Sequence, residues 1–243
     1  DIASNDGTLL NFYKSNIVKV GIDPLVNKYK KYYKNINHKI SNFFNISDIK
    51  NLRLKKKFKI ITALSVFYDL RNPNKFLKEV KKILDKDGVF LLEHADLYSI
   101  LKNNIFDTIC HEHLSYYSSS VIINMMKKNG LRVFSHEFNN INGGSSRYYI
   151  CHMNSKYKSN QSIKHIINKE LKYKVGQPKT LKNFFKKIIN LNSKLIKLIK
   201  KIKKNNQIIH GYGASTKGNI LLQFCKIGNQ EIDFIADRNI LKF

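Results

Sequence analysis

The spacing of apolar and polar positions predicts an α/β chain. IVKVGI at 17–22 reads as a short buried strand closed by Asp23–Pro24, with a helix from about Val26 to Tyr33. FKIITAL at 58–64 is another apolar run of strand length, β-branched at its centre. Phe76, Leu77, Val80, Ile83 and Leu84 then recur at helical spacing, and Gly88 is expected to close that helix. VFLLEH at 89–94 follows as a strand ending on Glu93 and His94, with a short helix after it. Ser118–Ser120 offer N-caps to a helix that stops at Gly130. LRVFSHEF and SRYYICHM then pair as strands across NNINGGS. Alternating strand and helix to about residue 130, then two strands close together, implies a mostly parallel, doubly wound sheet with an antiparallel edge strand.

The rest of the chain reads differently. Residues 154–180 are rich in Lys and Ser with weak periodicity, which suggests a linker with some helix. Residues 181–205 place apolar positions every three or four residues with Lys between them, a long amphipathic helix. Alone, such a helix could lie on a membrane or serve as a calmodulin target, but a packed helix is the expectation. Strand, Gly-rich turn, helix and strand then recur from Gln207, a second and Rossmann-like βαβ unit. The expected domains are therefore residues 1–153, a linker at 154–180, and residues 181–243.

Composition changes this picture little. The net charge of +27 points toward anionic partners. Arginine is nevertheless confined to Arg53, Arg71, Arg132, Arg147 and Arg238, and Lys travels with abundant Asn and Ile. Arg is the preferred bidentate reader of phosphate and guanine, so solvated lysine faces are expected rather than a dedicated nucleic-acid surface. The three cysteines, Cys110, Cys151 and Cys225, form no C-x-x-C pair, which argues against a structural zinc ribbon or disulfide framework. With no apolar run long enough for a membrane span and no signal peptide, a cytoplasmic location is expected. The chain opens at Asp1 on what reads as the end of a strand, and it is read as a piece of a longer protein.

Three stretches carry candidate chemistry. DIASNDGTLL places acidic and small residues where a cofactor would approach backbone at a strand's carboxyl end, so Asp1, Asn5, Asp6 and Gly7 are candidate cofactor contacts. G-x-G-x-x-G is absent, which weakens a dinucleotide reading. Asp23 ends the next strand at about the separation where an acidic residue holds ribose hydroxyls, although an Asp before Pro24 also suits a helix start. FDTICHEHLSYYS at 106–118 then sets His111, Glu112 and His113 ahead of Tyr116 and Tyr117. Two histidines and a carboxylate could bind iron or zinc, but His111 and His113 diverge in an extended chain, so no metal is expected. In the third stretch, Gly143, Gly144, Ser145 and Arg147 of NINGGSSR could form a phosphate nest, or merely a hairpin turn. Ser215 and Lys217 of GYGASTKG stand at a helix start suited to phosphate, without P-loop spacing.

SNDGTLL, FDTICHEHLSYYS, NGGSSR and GYGASTKGN with a later DRN, in this order, resemble the S-adenosylmethionine (SAM)-dependent sugar C-methyltransferases. The resemblance runs the length of the chain. It implies a class I methyltransferase sheet, SAM as methyl donor, and a nucleotide-linked 4-keto-6-deoxy sugar as substrate. It also implies an N-terminal cysteine-rich zinc lobe, so the chain is expected to be a fragment without that lobe and with a truncated first strand. Some members have Tyr where Cys110 stands, and Tyr68 is the candidate to take over that role.

Carbon methylation requires an acidified C–H, which a ketone at carbon 4 provides at carbon 3. The resemblance implies His113 as the base. Glu112 could orient it, and Tyr68, His111 or Tyr116 could donate to the enolate oxygen. The rival readings are an O- or N-methyltransferase on a sugar or small molecule, a basic RNA-binding module with this fold, and an inactive piece. Oligomeric state is not legible.

Overall fold

The computed structural model describes residues 1–239, which divide into two compact units: Asp1–Asp96 with Leu114–Lys172, and Leu97–His113 with the chain from Tyr173 onward. The expected domain at 181–243 therefore extends past the described residues at its end.

The first unit is built on one twisted sheet. Its strands are β1 (Val20–Ile22), β2 (His38–Ile40), β3 (Phe58–Leu64), β4 (Leu84–Ala95), β5 (Leu131–Asn139) and β6 (Ser145–His152). Ile2 pairs in parallel with both Ile22 and Ala63, so it joins β2-β1 on one side to β3-β4-β6-β5 on the other. β1 with β2 and β3 with β4 are parallel, while β6 is antiparallel to both neighbours. The antiparallel strand thus lies one place in from the edge, and β5 is the edge strand. The tight turn after β5 brings the chain straight back, and β6 inserts between β5 and β4.

Helices α1 (Thr8–Asn11), α2 (Val26–Tyr29), α3 (Ile46–Asn51), α4 (Pro73–Ile83), α6 (Ser119–Lys128) and α7 (Ser162–Tyr173) accompany this sheet. The main core joins Phe67, Phe76, Leu77 and Val80 to Phe90, Leu92, Ile122, Met126, Tyr148 and Ile150. Phe76 lies edge-on to Phe44 and Phe67, with ring centroids 5.2 and 5.9 Å apart. Helix α4 ends at Ile83 rather than at Gly88, because the chain from Leu84 is already paired with Phe58. Gly88 instead marks a close approach within the sheet: a Cβ there would stand 2.8 Å from the carbonyl oxygen of Phe58.

The expected linker contains α7, which belongs to the first unit. Ile166 is buried, and the Glu170 carboxylate accepts from the amides of Ser119 at 2.5 Å and Ser120 at 3.0 Å. A buried carboxylate thus caps the N-terminus of α6, where amides lack intrahelical partners.

The second unit holds α5 (Leu97–Asn103), α8 (Pro178–Lys204), β7 (His210–Tyr212), α9 (Thr216–Cys225) and β8 (Phe234–Ala236). β7 and β8 are parallel, giving the expected βαβ connection. Residues 97–113 join this unit through aromatic anchors. Tyr98 meets Tyr173 edge-on at 5.3 Å, the Tyr173 hydroxyl donates to the Leu101 carbonyl, and Phe106 packs on Phe224 at 5.0 Å. Among the described residues, no helix is long and apolar enough to cross a membrane.

Candidate active site

Strand order reverses at Ile2, between β1 on one side and β3 on the other. A crevice at the carboxyl side of such a reversal is where open α/β sheets bind ligands. The chain leaving Ile2 makes a tight turn there: Ala3 and Asn5 take left-handed φ values of 59° and 48°, and Gly7 follows at 77°. Gly7 is required for more than its φ, because a Cβ would stand 3.1 Å from the ring of Tyr33 and from Ile36.

Asp23, buried at the end of β1, holds this turn. One carboxylate oxygen accepts from the Asn5 amide at 3.1 Å and the other from the Leu25 amide at 2.7 Å. The Tyr33 hydroxyl donates to the Asn5 carbonyl at 2.7 Å, so the Ser4 hydroxyl, 2.8 Å away, must donate to Tyr33. Asp6 accepts from the Thr8 amide at 3.0 Å. Asp1 is engaged differently from the other four cofactor candidates. Its carboxylate accepts from the Thr62 hydroxyl on β3, so it ties the Ile2 segment to the sheet. Ser4 and Tyr33 escaped sequence reasoning, since a lone Ser and a lone Tyr carry no spacing signal.

These residues fit a nucleoside-bearing cofactor. A carboxylate stands at the end of β1, each of its oxygens retains a further lone pair, and it holds a turn that takes left-handed backbone at Ala3, Asn5 and Gly7.

Around the ends of β4 and β6 lies a buried polar cluster. The His94 ring is fully buried, stacks on Tyr148 at 5.4 Å and meets Tyr117 edge-on at 5.9 Å. Its Nδ1 donates to the Ala95 carbonyl at 2.8 Å, leaving Nε2 as an acceptor with no hydrogen-bond partner among the described residues. Burial pushes its pKa down to about 4, so the ring is neutral near pH 7. Tyr148 and Ser119 share a hydrogen bond of 2.8 Å, and His136 and Ser146 one of 3.0 Å.

The remaining candidates fall in both units. His111, Glu112 and His113 belong to the second unit, and Tyr68, Tyr116 and Tyr117 to the first. His111 and Glu112 are exposed. His113 Nδ1 donates to the Thr108 carbonyl at 2.7 Å, which fixes the tautomer with Nε2 as the proton acceptor. The orienting partner is therefore a backbone carbonyl five residues earlier rather than the Glu112 carboxylate. Sequence could not show this, because it depends on the turn that brings the His113 amide to the Cys110 carbonyl. Tyr68 is buried and its carbonyl accepts from the Ser115 amide at 3.0 Å. Tyr116 is half-buried. Tyr117 packs its ring on Phe67 in the core.

Arg147 is committed to an ion pair. Its Nε lies 2.7 Å from the buried Glu93 carboxylate, which Asn139 also meets at 2.9 Å. The expected phosphate nest thus has its cation engaged inside the sheet, because β6 registers Arg147 directly against Glu93. Gly143 and Gly144 do take positive φ, 87° and 143°, and the buried Ser145 hydroxyl donates to the Ile141 carbonyl. In the second unit, Ser215 caps α9 by accepting from the Gly218 amide at 3.1 Å. The Asp237 carboxylate accepts from the Ala214 amide at 2.7 Å, so an anion from the chain itself already stands at this turn.

The sheet order and the turn at its switch point define a Rossmann-like protein. Residues 1–136 match the family model described as a methyltransferase domain, and residues 140–243 match the C-methyltransferase C-terminal domain. The chain belongs to the methyltransferase-domain family, whose methyl donor is S-adenosylmethionine. A curated relative, C-methyltransferase NovU of Streptomyces niveus, is 28% identical over 184 residues, 76% of this chain and 44% of NovU. The chain thus spans less than half of that relative's length. Similar solved structures include PKMT2 of Rickettsia typhi in complex with AdoHcy, 14% identical with a TM-score of 0.47 over 66% of this chain and 50% of that one. A SAM-dependent methyltransferase of Clostridium acetobutylicum is 16% identical, with a TM-score of 0.47 over 63% and 82% of the two chains.

Proposed function

We propose that this chain is the catalytic part of a SAM-dependent C-methyltransferase acting at carbon 3 of a nucleotide-linked 4-keto-6-deoxy sugar, in cytoplasmic synthesis of branched deoxysugars. The observation that carries the reading is His113, held as a base by Thr108 within the FDTICHEHLSYYS block. The C-methyltransferase matches support carbon as the acceptor, and the motif resemblance supports the sugar.

Asp23 and the Ala3–Gly7 turn would hold the cofactor, with Asn5, Asp6 and Gly7 lining its approach. SAM, when bound, supplies an electrophilic methyl group. His113 Nε2 takes the proton from carbon 3 of the sugar. The C–H electron pair passes into an enolate whose charge rests on the carbon-4 oxygen. The imidazolium so formed is steadied by the Thr108 carbonyl at Nδ1. Tyr68, His111 or Tyr116 is the donor proposed for the enolate oxygen. Tyr117 and Ser145 in the first unit, and separately Ser215 and Lys217 in the second, are proposed as substrate-contacting residues, and Arg147 is proposed to act through Glu93 rather than on phosphate.

The test is exchange in deuterated water without SAM turnover. A 4-keto-6-deoxy sugar nucleotide should gain deuterium at carbon 3 with the native chain, and exchange should vanish with His113→Asn. Methyl transfer to oxygen or nitrogen by a folded chain that exchanges nothing would replace this reading with the O- or N-methyltransferase.

A further inference from the structure

At the end of the sheet opposite the Ala3–Gly7 turn, six lysines converge. Lys57 precedes β3, Lys78, Lys81 and Lys82 come from the C-terminal half of α4, and Lys127 and Lys128 end α6. Together with Asn129, Gly130 and His152 they line an open depression of about 740 Å³. His152 Nε2 lies 3.1 Å from the carbonyl of Leu84, the first residue of β4, which fixes the depression at the amino ends of the parallel strands.

Lysines at helix C-termini are favoured singly by the helix dipole. That does not explain six of them facing one volume with nothing to offset their repulsion. No carboxylate lines the depression, and among the described residues none of the six enters an ion pair. The nearby Asp85 is taken by Lys59 at 2.7 Å. Gly130, at φ 71°, forms part of the wall, with the Lys81 side chain beside it.

The wall also limits what could bind. It offers ammonium donors, and its one aromatic ring is the His152 imidazole, already engaged at Nε2 by the Leu84 carbonyl. The Asn129 amide group is already donated to Asn74 and to the Met125 carbonyl. We propose that this depression is a binding site for a multivalent phosphate anion, recognised through charge and the number of its oxygens. The phosphate could come from a free oligophosphate chain or from a phosphodiester backbone.

The experiment is calorimetric titration of sodium tripolyphosphate into the chain at low salt, with a uridine oligonucleotide as the second arm. Saturable binding is expected, weakened at least about tenfold by Lys81→Glu with Lys127→Glu and falling steeply with added salt. Lys186→Glu with Lys197→Glu on α8 makes the same change in net charge elsewhere and should alter affinity less than about twofold if the site is local. Should the first pair unfold the chain, Lys78→Gln with Lys128→Gln, both exposed, replaces it. Oligonucleotide binding that competes with tripolyphosphate assigns the phosphodiester source, and its absence assigns free oligophosphate. No saturable binding of tripolyphosphate, or equal loss with both pairs, would overturn the site and leave only a diffuse field.

Discussion

The carboxylate of Asp23, at the end of β1, accepts the backbone amide of Asn5 at 3.1 Å. A strand end and the turn opposite it are thereby held as one piece, and a ligand entering the strand reversal meets a turn already shaped. Asp23→Ala frees the Asn5 amide and removes the carboxylate together. Calorimetry with S-adenosylhomocysteine should show affinity reduced at least about tenfold, the loss of two charge-assisted hydrogen bonds being worth about 2–3 kcal/mol. Unchanged affinity in a folded variant would remove Asp23 from the cofactor site.

Arg147 separates two readings of one residue. As a phosphate ligand, its loss would weaken substrate binding and leave the fold intact. Paired with buried Glu93 at 2.7 Å, its loss strands a charge inside the sheet. Arg147→Ala should destabilise the first unit by about 3 kcal/mol in urea unfolding, and Glu93→Leu in the same chain should recover part of it. Equal stability of Arg147→Ala and the native chain would restore the phosphate reading.

Glu170 ties α7 to the N-terminus of α6 through the amides of Ser119 and Ser120. Glu170→Ala should cost about 3 kcal/mol, since two buried amides lose a charged acceptor. Hydrogen exchange should rise first in the opening turn of α6. If residues 154–180 behaved as a linker, neither effect would be seen.

His94 makes stability depend on pH. Its folded pKa is about 4 against an ordinary value of 6.5, so the unfolded chain binds a proton that the folded chain refuses. The contribution is fully present above about pH 6.5 and is lost as pH falls toward 4, about 3 kcal/mol in all. Burial also pushes His136 down to about 4, so unfolding free energies measured from pH 7 to pH 4 should fall through both rings, and His94→Phe should remove about half of that fall. A profile identical in the variant would assign the acid loss to other groups.

Much of this chain was legible from spacing alone. FKIITAL matches β3, buried at Ile61–Ala63, and the strand-helix-strand ending at Ala236 followed from a Gly-rich turn between apolar runs. The tight turn after Ile2 was legible from its run of small residues, but its left-handed backbone at Ala3 and Asn5 was not, because neither position is a glycine. Three further features were beyond the sequence. Pairing of Leu84 with Phe58 ended α4 before Gly88, and Phe106 on Phe224 drew residues 97–113 into the second unit. Register of β6 on β4 gave Arg147 to Glu93. Local chemistry determines where a strand, a helix or a turn can form. Which partner a side chain meets depends on contacts between residues far apart in the chain, and only the folded sheet brings those together.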